Sequence, residues 1–377
     1  MSGIKYNRLT YIDGLRGISC LVVICFHFFN ETFKNDSVLF YNFFSRFIFD
    51  GQMAVAIFFI LSGEALSASF IEKRDAASIF RPAIKRWPRL SIPVLFSSIL
   101  VFFISKMQLV YNQKASVIVN NQDWLGSFLK SPPHVMDIFK FSFISVFGKA
   151  FPKNSLNPFL WTMHFELLGS FFLFFLLFLL YKRFFYIVPF FIIFAFIYLR
   201  VTTASILSNV FMSCFMLGFL ICYAKKRGFL ECIQVQKNSK IYLPVFIITL
   251  FIIEICSKEF YFSDGFLLFK SGLVTIFLFS NVAACKFLDS KPIQFLGKIS
   301  FPLFLFQFPV LISFTSYMII KYHHANYNSL IDIAIAISSV LLSIILSVIL
   351  YPTEILTQKL CSYIYKKTKP LLGTVGS

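Results

Sequence analysis

Ten apolar runs constrain this chain more than any other feature. They fall at about residues 15–33, 51–70, 91–107, 160–181, 184–200, 205–224, 241–257, 265–285, 295–320 and 330–351. Each approaches the ~20 residues a helix needs to cross the ~30 Å hydrocarbon core of a bilayer. The expectation is an all-α, polytopic membrane protein of about ten transmembrane helices, in which an even count puts both termini on one side. Composition agrees. Hydrophobic residues make up 58% of the chain and charged residues only 14%, whereas soluble domains are roughly 45–50% apolar.

The net charge of +18 is compatible with nucleic acid as a partner, but the charges form no single patch. They fall in the short connections between apolar runs, where membrane topology places them, so the expected partner is the lipid bilayer and not nucleic acid. With a cytoplasmic N-terminus, most of the 35 Lys and Arg lie on the cytoplasmic side, including Arg16, Arg81, Lys85, Arg86, Arg89 and Lys225. The bias predicts that both termini are cytoplasmic, and the same charges can attract anionic lipid or an anionic cofactor. The first run is followed by a polar loop without a small-residue cleavage pattern, so it reads as a retained signal anchor. The eight Cys form no CxxC pair and read as small buried residues, so neither a metal site nor a disulfide framework is expected. One sizeable outer loop, 106–159, holds a patterned stretch over 135–151. That stretch reads as a short helix, lying on the outer surface or folded back into the mouth. The tail, 366–377, is expected to be disordered.

His27 lies inside the first apolar run. An ionisable group at bilayer depth costs roughly 2.5 kcal/mol or more, which makes it a functional candidate. Arg16 precedes it by eleven residues. At about 100° and 1.5 Å per residue, the two share a helix face roughly 16 Å apart. This spacing suits a long amphipathic ligand with an anionic head; a packing His with a snorkelling Arg is the plainer alternative.

Further along, Ser62 and Gly63 are small enough for tight helix packing, and Glu64 beside them either snorkels or faces a cavity. Arg86 and Arg89, three apart before the third run, share a face if helical and could grip phosphate with fork-like donors. Positive-inside topology also puts Arg there. Trp161 fits an interfacial aromatic belt, and Glu166 reads as lying slightly deeper on the outer half, either functional or a partner for a base. Gln307 is polar within an apolar run that Pro302 and Pro309 loosen. His134, His323 and His324 read as solvated loop residues. No GxGxxG, P-loop, HExxH or GxSxG motif occurs.

Taken in order, these residues resemble the acyltransferase-3 family of integral membrane acyltransferases. Asp13-Gly-Leu-Arg-Gly17 with His27 is similar to the family's opening motif, and Phe58 to Gly63 to its FFxLSG signature. Arg86 and Arg89 match its basic motif, Leu160-Trp-Thr with Glu166 its LWTxxxE motif, and Gly297-Lys-Ile-Ser300 its late LGxxS motif. The chain departs from the pattern at Glu64, where a bulky apolar residue is usual, at His164, which replaces a small residue, and at Gln307, where many members carry His.

The resemblance implies one transmembrane acyltransferase domain, 1–365, in a bacterial inner membrane. It implies O-acyl transfer, most often of acetyl, from cytoplasmic acetyl-CoA or another acyl-CoA. The acceptor would be a hydroxyl of an envelope carbohydrate such as lipopolysaccharide or O-antigen. Arg16, Arg86 and Arg89 would then bind the donor's phosphates, Trp161, Asp13 and Ser62 would contact substrate, and Glu166 would orient a His or the acceptor. His27 would act as general base, for which an imidazole of ordinary pKa near 6.5 is suited; an acyl-imidazole intermediate is the other chemistry open to it. The competing class is a transporter or flippase using His27 and Glu64 as a proton relay.

Overall fold

The computed structural model describes residues 10–35, 42–149, 152, 155–182, 206–228, 246–252, 254–255, 263–323 and 329–372. Among these it is helical and contains no strand. The long helices are α1 (Thr10–Cys25, continued by a π turn, Phe26–Glu31), α2 (Gly51–Lys73), α3 (Ala77–Lys106), α4 (Thr162–Tyr181), α5 (Ile206–Lys226), α6 (Ser263–Ser280), α7 (Val282–Leu288), α8 (Lys291–Val310), α9 (Ser329–Ile349) and α10 (Tyr351–Leu372). A π turn, Leu311–Thr315, and a final helical segment, Ser316–Tyr322, extend α8.

Six helices among the described residues are long and apolar enough to span a bilayer: Thr10–Glu31, Phe44–Lys73, Ala77–Lys106, Pro158–Tyr181, Lys291–Tyr322 and Ser329–Ile349. A seventh crossing is possible if the bent pair α6 and α7 counts as one. The expected run at 184–200 and about half of that at 241–257 lie outside the described residues. The run drawn at 265–285 is not one straight helix, because the chain turns by 92° between Ser280 and Val282. Asn281 causes the break: its extended backbone starts a new helix, and its side-chain oxygen accepts from the N–H groups of Ala283 and Ala284 at 2.9 and 3.0 Å. That is N-capping, hidden in the sequence by the apolar residues on either side. At the C-terminal end, the segment expected to be a disordered tail from Lys366 is helical as far as Leu372.

The chain divides into two compact units. The first comprises Met1–Ser19, Gln52–Ala83 and Leu168–Lys298. Lipid tails are as apolar as Leu, so helices in a membrane associate through close packing and hydrogen bonds. Glycines supply that closeness here. A Cβ on Gly17 would meet the backbone of Leu296 and Gly297, and one on Gly297 would meet the Asp13 carbonyl. The opening and late sequence motifs are therefore backbone-to-backbone neighbours. In the same way, a Cβ on Gly63 would strike the Phe215 carbonyl, and one on Gly218 the Ile60 carbonyl and Glu64 N–H. The fully buried rings of Phe59, Phe211 and Phe215 fill the space beside this crossing. Gly63→Ala is expected to destabilise the protein by about 1–3 kcal/mol, because the obstacle is backbone and cannot rotate away. A thermal unfolding midpoint in detergent unchanged from wild type would contradict this.

The second unit comprises Cys20–Gly51, Ile84–Leu167 and Ile299–Ser377. Its organising feature is Pro309, which has no N–H to offer the Leu305 carbonyl one turn earlier. That carbonyl instead accepts from Ser97 Oγ and Asn157 Nδ2, both at 3.0 Å, while Asn157 Nδ2 also reaches Ser97 Oγ at 3.1 Å. Asn157, followed by Pro158, opens the 3₁₀ turn Pro158–Trp161 that leads into α4. Its partner Ser97 stands about 13 Å from the Lys106 end of α3, so the long loop has returned into the body of the unit before α4 begins. Trp161 thus starts one turn beyond a fully buried residue rather than at an exposed helix end.

Within the loop, the patterned stretch forms the helix Val135–Lys140, the π turn Phe141–Ser145 and the short segment Val146–Gly148. It folds back against α3, with Ser142 Oγ donating to Ser98 Oγ at 3.1 Å and Phe143 packing 5.7 Å from the Trp87 ring. His134 is exposed, as expected, and His324 lies outside the described residues. His323 corrects the reading as a solvated residue: its Nδ1 lies 2.8 Å from Oδ1 of buried Asp332, nine residues on across the α8–α9 connection. Of the eight Cys, Cys20, Cys214, Cys222, Cys285 and Cys361 are buried and free, and Cys25 is half-buried and free; Cys232 and Cys256 lie outside the described residues.

Candidate active site

His27 sits where α1 gives way to its π turn, so the α-helical arithmetic linking it to Arg16 holds only as far as Cys25. Such widened turns concentrate at functional sites. Its imidazole stacks on Phe159 with ring centres 3.9 Å apart and planes 16° apart, and Trp124 lies beyond at 6.2 Å. Nδ1 is 2.9 Å from Gln307 Oε1. The Gln307 amide is itself oriented, because its Nε2 donates to the Phe304 carbonyl at 3.1 Å, and a carbonyl can only accept. Oε1 therefore faces the ring as an acceptor, Nδ1 carries the proton, and Nε2 presents a lone pair. No described residue bonds Nε2, and the residue is only half-buried. A neutral imidazole with one nitrogen tied and the other open can take a proton from a hydroxyl.

Glu166 does not reach this ring. Its carboxylate forms an ion pair with Arg86, and both side chains are largely shielded, at 14% and 11% exposed. Arg86 and Glu166 therefore lie at one depth, not at opposite halves of the membrane as their sequence positions suggested. The return of the loop to Ser97 explains the difference, since α4 starts well inside the unit. Orientation of His27 falls to Gln307, and Glu166 holds α4 to α3. Arg89 is more open. Its side chain is 50% exposed and meets Glu354 Oε1 on α10 at 3.4 Å. Trp161 is half-buried, edge-on to Phe165 at 5.9 Å. His164 donates locally, its Nδ1 lying 2.6 Å from the Phe147 carbonyl.

The remaining candidates lie in the first unit. Arg16 donates to the Leu61 carbonyl at 3.4 Å and lies 3.8 Å from Asp13, which is exposed. Ser62 is buried beside Gly63. Glu64 neither snorkels nor stands alone: its side chain is 1% exposed and ion-paired with Lys225 from α5. The Lys225 ammonium is 4.9 Å from the ring centres of both Tyr11 and Phe279, which pack edge-to-face at 5.1 Å. Cation–π attraction thus supplements the carboxylate.

Sequence reasoning singled out His27 and Gln307 but did not join them, and it missed Phe159, Trp124 and Asn157. Asn157 carried a readable signal, a capping residue before Pro at the first helical position. Trp124 sits in an irregular loop where no periodicity marks it.

Packed apolar helices long enough to span a bilayer, with polar side chains held inside them, fit an integral membrane protein. The chain belongs to the acyltransferase-3 family: the family's acyltransferase domain matches residues 9–352. No curated protein and no solved structure matches the sequence.

Proposed function

We propose that this membrane acyltransferase moves an acyl group, acetyl in the first instance, from acyl-CoA to a hydroxyl of an envelope carbohydrate, with His27 as general base. The observation that carries this reading is the hydrogen bond from Nδ1–H to Gln307, which leaves Nε2 open on a half-buried ring. In the step envisaged, Nε2 takes the proton from the acceptor hydroxyl as its oxygen attacks the thioester carbonyl. The new C–O bond forms, the C–S bond breaks, and the departing thiolate recovers the proton from the imidazolium. Placement in a bacterial inner membrane with cytoplasmic termini is part of this proposal, resting on the charge bias of the connections.

Of the guanidinium groups expected to bind donor phosphate, Arg89 fits best, being the most open. Arg16, on the helix leading to His27, remains a second candidate. Arg89→Ala is expected to raise the KM for acyl-CoA by about 10–100-fold, the loss of one charge-assisted contact of ~1.5–3 kcal/mol, while leaving kcat much less affected. An unchanged donor KM in well-folded protein would return Arg89 to a topological role. The reading as a whole is tested by supplying acetyl-CoA and alkali-de-esterified envelope polysaccharide to purified protein in vesicles. Release of free CoA with ester formation on the glycan is the expected result; neither product would remove the proposed donor and acceptor.

A further inference from the structure

The polar groups around the widened turn of the first helix are not all accounted for by the chemistry at His27. Asn30, three residues further on, is 0% exposed, and neither its side-chain nitrogen nor its oxygen has a hydrogen-bond partner. A buried amide with both ends unbonded is rare, and each such case calls for an explanation. The loop above is fixed to the same turn. Asn121 Nδ2 donates to the carbonyls of Glu31 and Thr32 at 2.6 and 3.1 Å, and its Oδ1 is buried without a partner. Three residues later the loop delivers Trp124, half-buried, its ring stacked on Phe159 at 5.9 Å and 23°. An indole ring centred 6.2 Å from the imidazole therefore accompanies amide atoms able both to give and to accept hydrogen bonds. Apolar aromatic walls with a few placed polar groups are how small polar ligands are oriented. A pyranose ring matches this set: C–H groups for the indole face, one hydroxyl for Nε2, and a neighbouring hydroxyl for an amide.

We propose that Trp124 and Asn30 form the acceptor subsite, Trp124 as the platform for a sugar ring and Asn30 as the ligand of a second hydroxyl. This inference rests on the acyl-transfer reading above. The activity divides into two measurable parts, and the test uses both. One is hydrolysis of acetyl-CoA by water, which needs the donor and His27 alone. The other is transfer of labelled acetyl to alkali-de-esterified envelope polysaccharide.

Trp124→Leu and Asn30→Leu should each retain hydrolysis within about twofold and lose glycan transfer by about 10–100-fold, as a rise in KM for the polysaccharide. Asn30→Leu keeps the branched shape and heavy-atom count of the side chain and removes an unsatisfied group, so it should remain folded; a thermal unfolding midpoint at or above that of wild type checks this. Glycan transfer at the wild-type rate in both variants would overturn the subsite, and would identify Asn30 as a residue holding only a structural water. Parallel loss of hydrolysis and transfer would overturn it too, because the two residues would then act on the chemistry or the fold. Wild-type protein that carries out neither reaction would instead count against the acyl-transfer reading.

Discussion

His27→Ala is expected to abolish acyl transfer while leaving a folded membrane protein. A positioned general base contributes about 10²–10⁴-fold to rate, and among the described residues no other ionisable side chain is bonded into this position: Glu166 is occupied by Arg86, and the neighbours Phe159 and Trp124 carry no base. The fold should survive because the ring makes one side-chain hydrogen bond, to Gln307, and the turn around it is held through main-chain carbonyls by Thr32 and Asn121. Gln307→Leu provides the finer test. It removes the acceptor that keeps the proton on Nδ1, so it should lower kcat by about tenfold, the worth of one hydrogen bond of ~1.5 kcal/mol, with donor KM unchanged. Turnover at the wild-type rate in His27→Ala would end the assignment.

Breaking the Glu64–Lys225 pair is expected to have the largest effect on stability. Lys225→Ala leaves a carboxylate buried without its partner, a change that costs about 3–5 kcal/mol in comparable cases. One oxygen of Glu64 is already unbonded and buried, so losing Lys225 removes the ammonium partner of the other as well. Replacing both residues together, as Glu64→Leu with Lys225→Leu, should restore stability to near wild type or raise it, since apolar side chains of similar volume need no desolvation. Thermal unfolding in detergent of the two single variants and the double variant checks the pattern. If Lys225→Ala unfolds at the wild-type midpoint, the pair contributes nothing to stability.

The same pair shows how far the sequence was legible. Glu64 was conspicuous as an acid beside a small-residue motif, but Lys225 lay among basic residues that topology alone explains. Nothing in the local sequence links positions so far apart; the Gly63–Gly218 crossing does so in three dimensions. His27 and Gln307 were legible for the opposite reason, because a polar residue within an apolar run stands out. Their bond was not, since it depends on the turn widening at Phe26 and on Pro309 loosening α8. The long apolar helices were legible from length and hydropathy. The break at Asn281 was not, because a single capping residue outweighed the apolar residues around it. The depth of Glu166 is hidden in the sequence because counting along a chain assumes that a loop ends at the membrane surface, and this one ends at Ser97.

Pro309 has a consequence beyond its own helix. By withholding one hydrogen it leaves an oxygen at Leu305 that two other stretches of chain then share. A flaw in the ladder of one rod becomes the footing for another, and the segment bearing Phe159 starts from that footing. The aromatic plate beneath the imidazole is thus aligned by a vacancy, and its alignment is inherited by whatever molecule rests there.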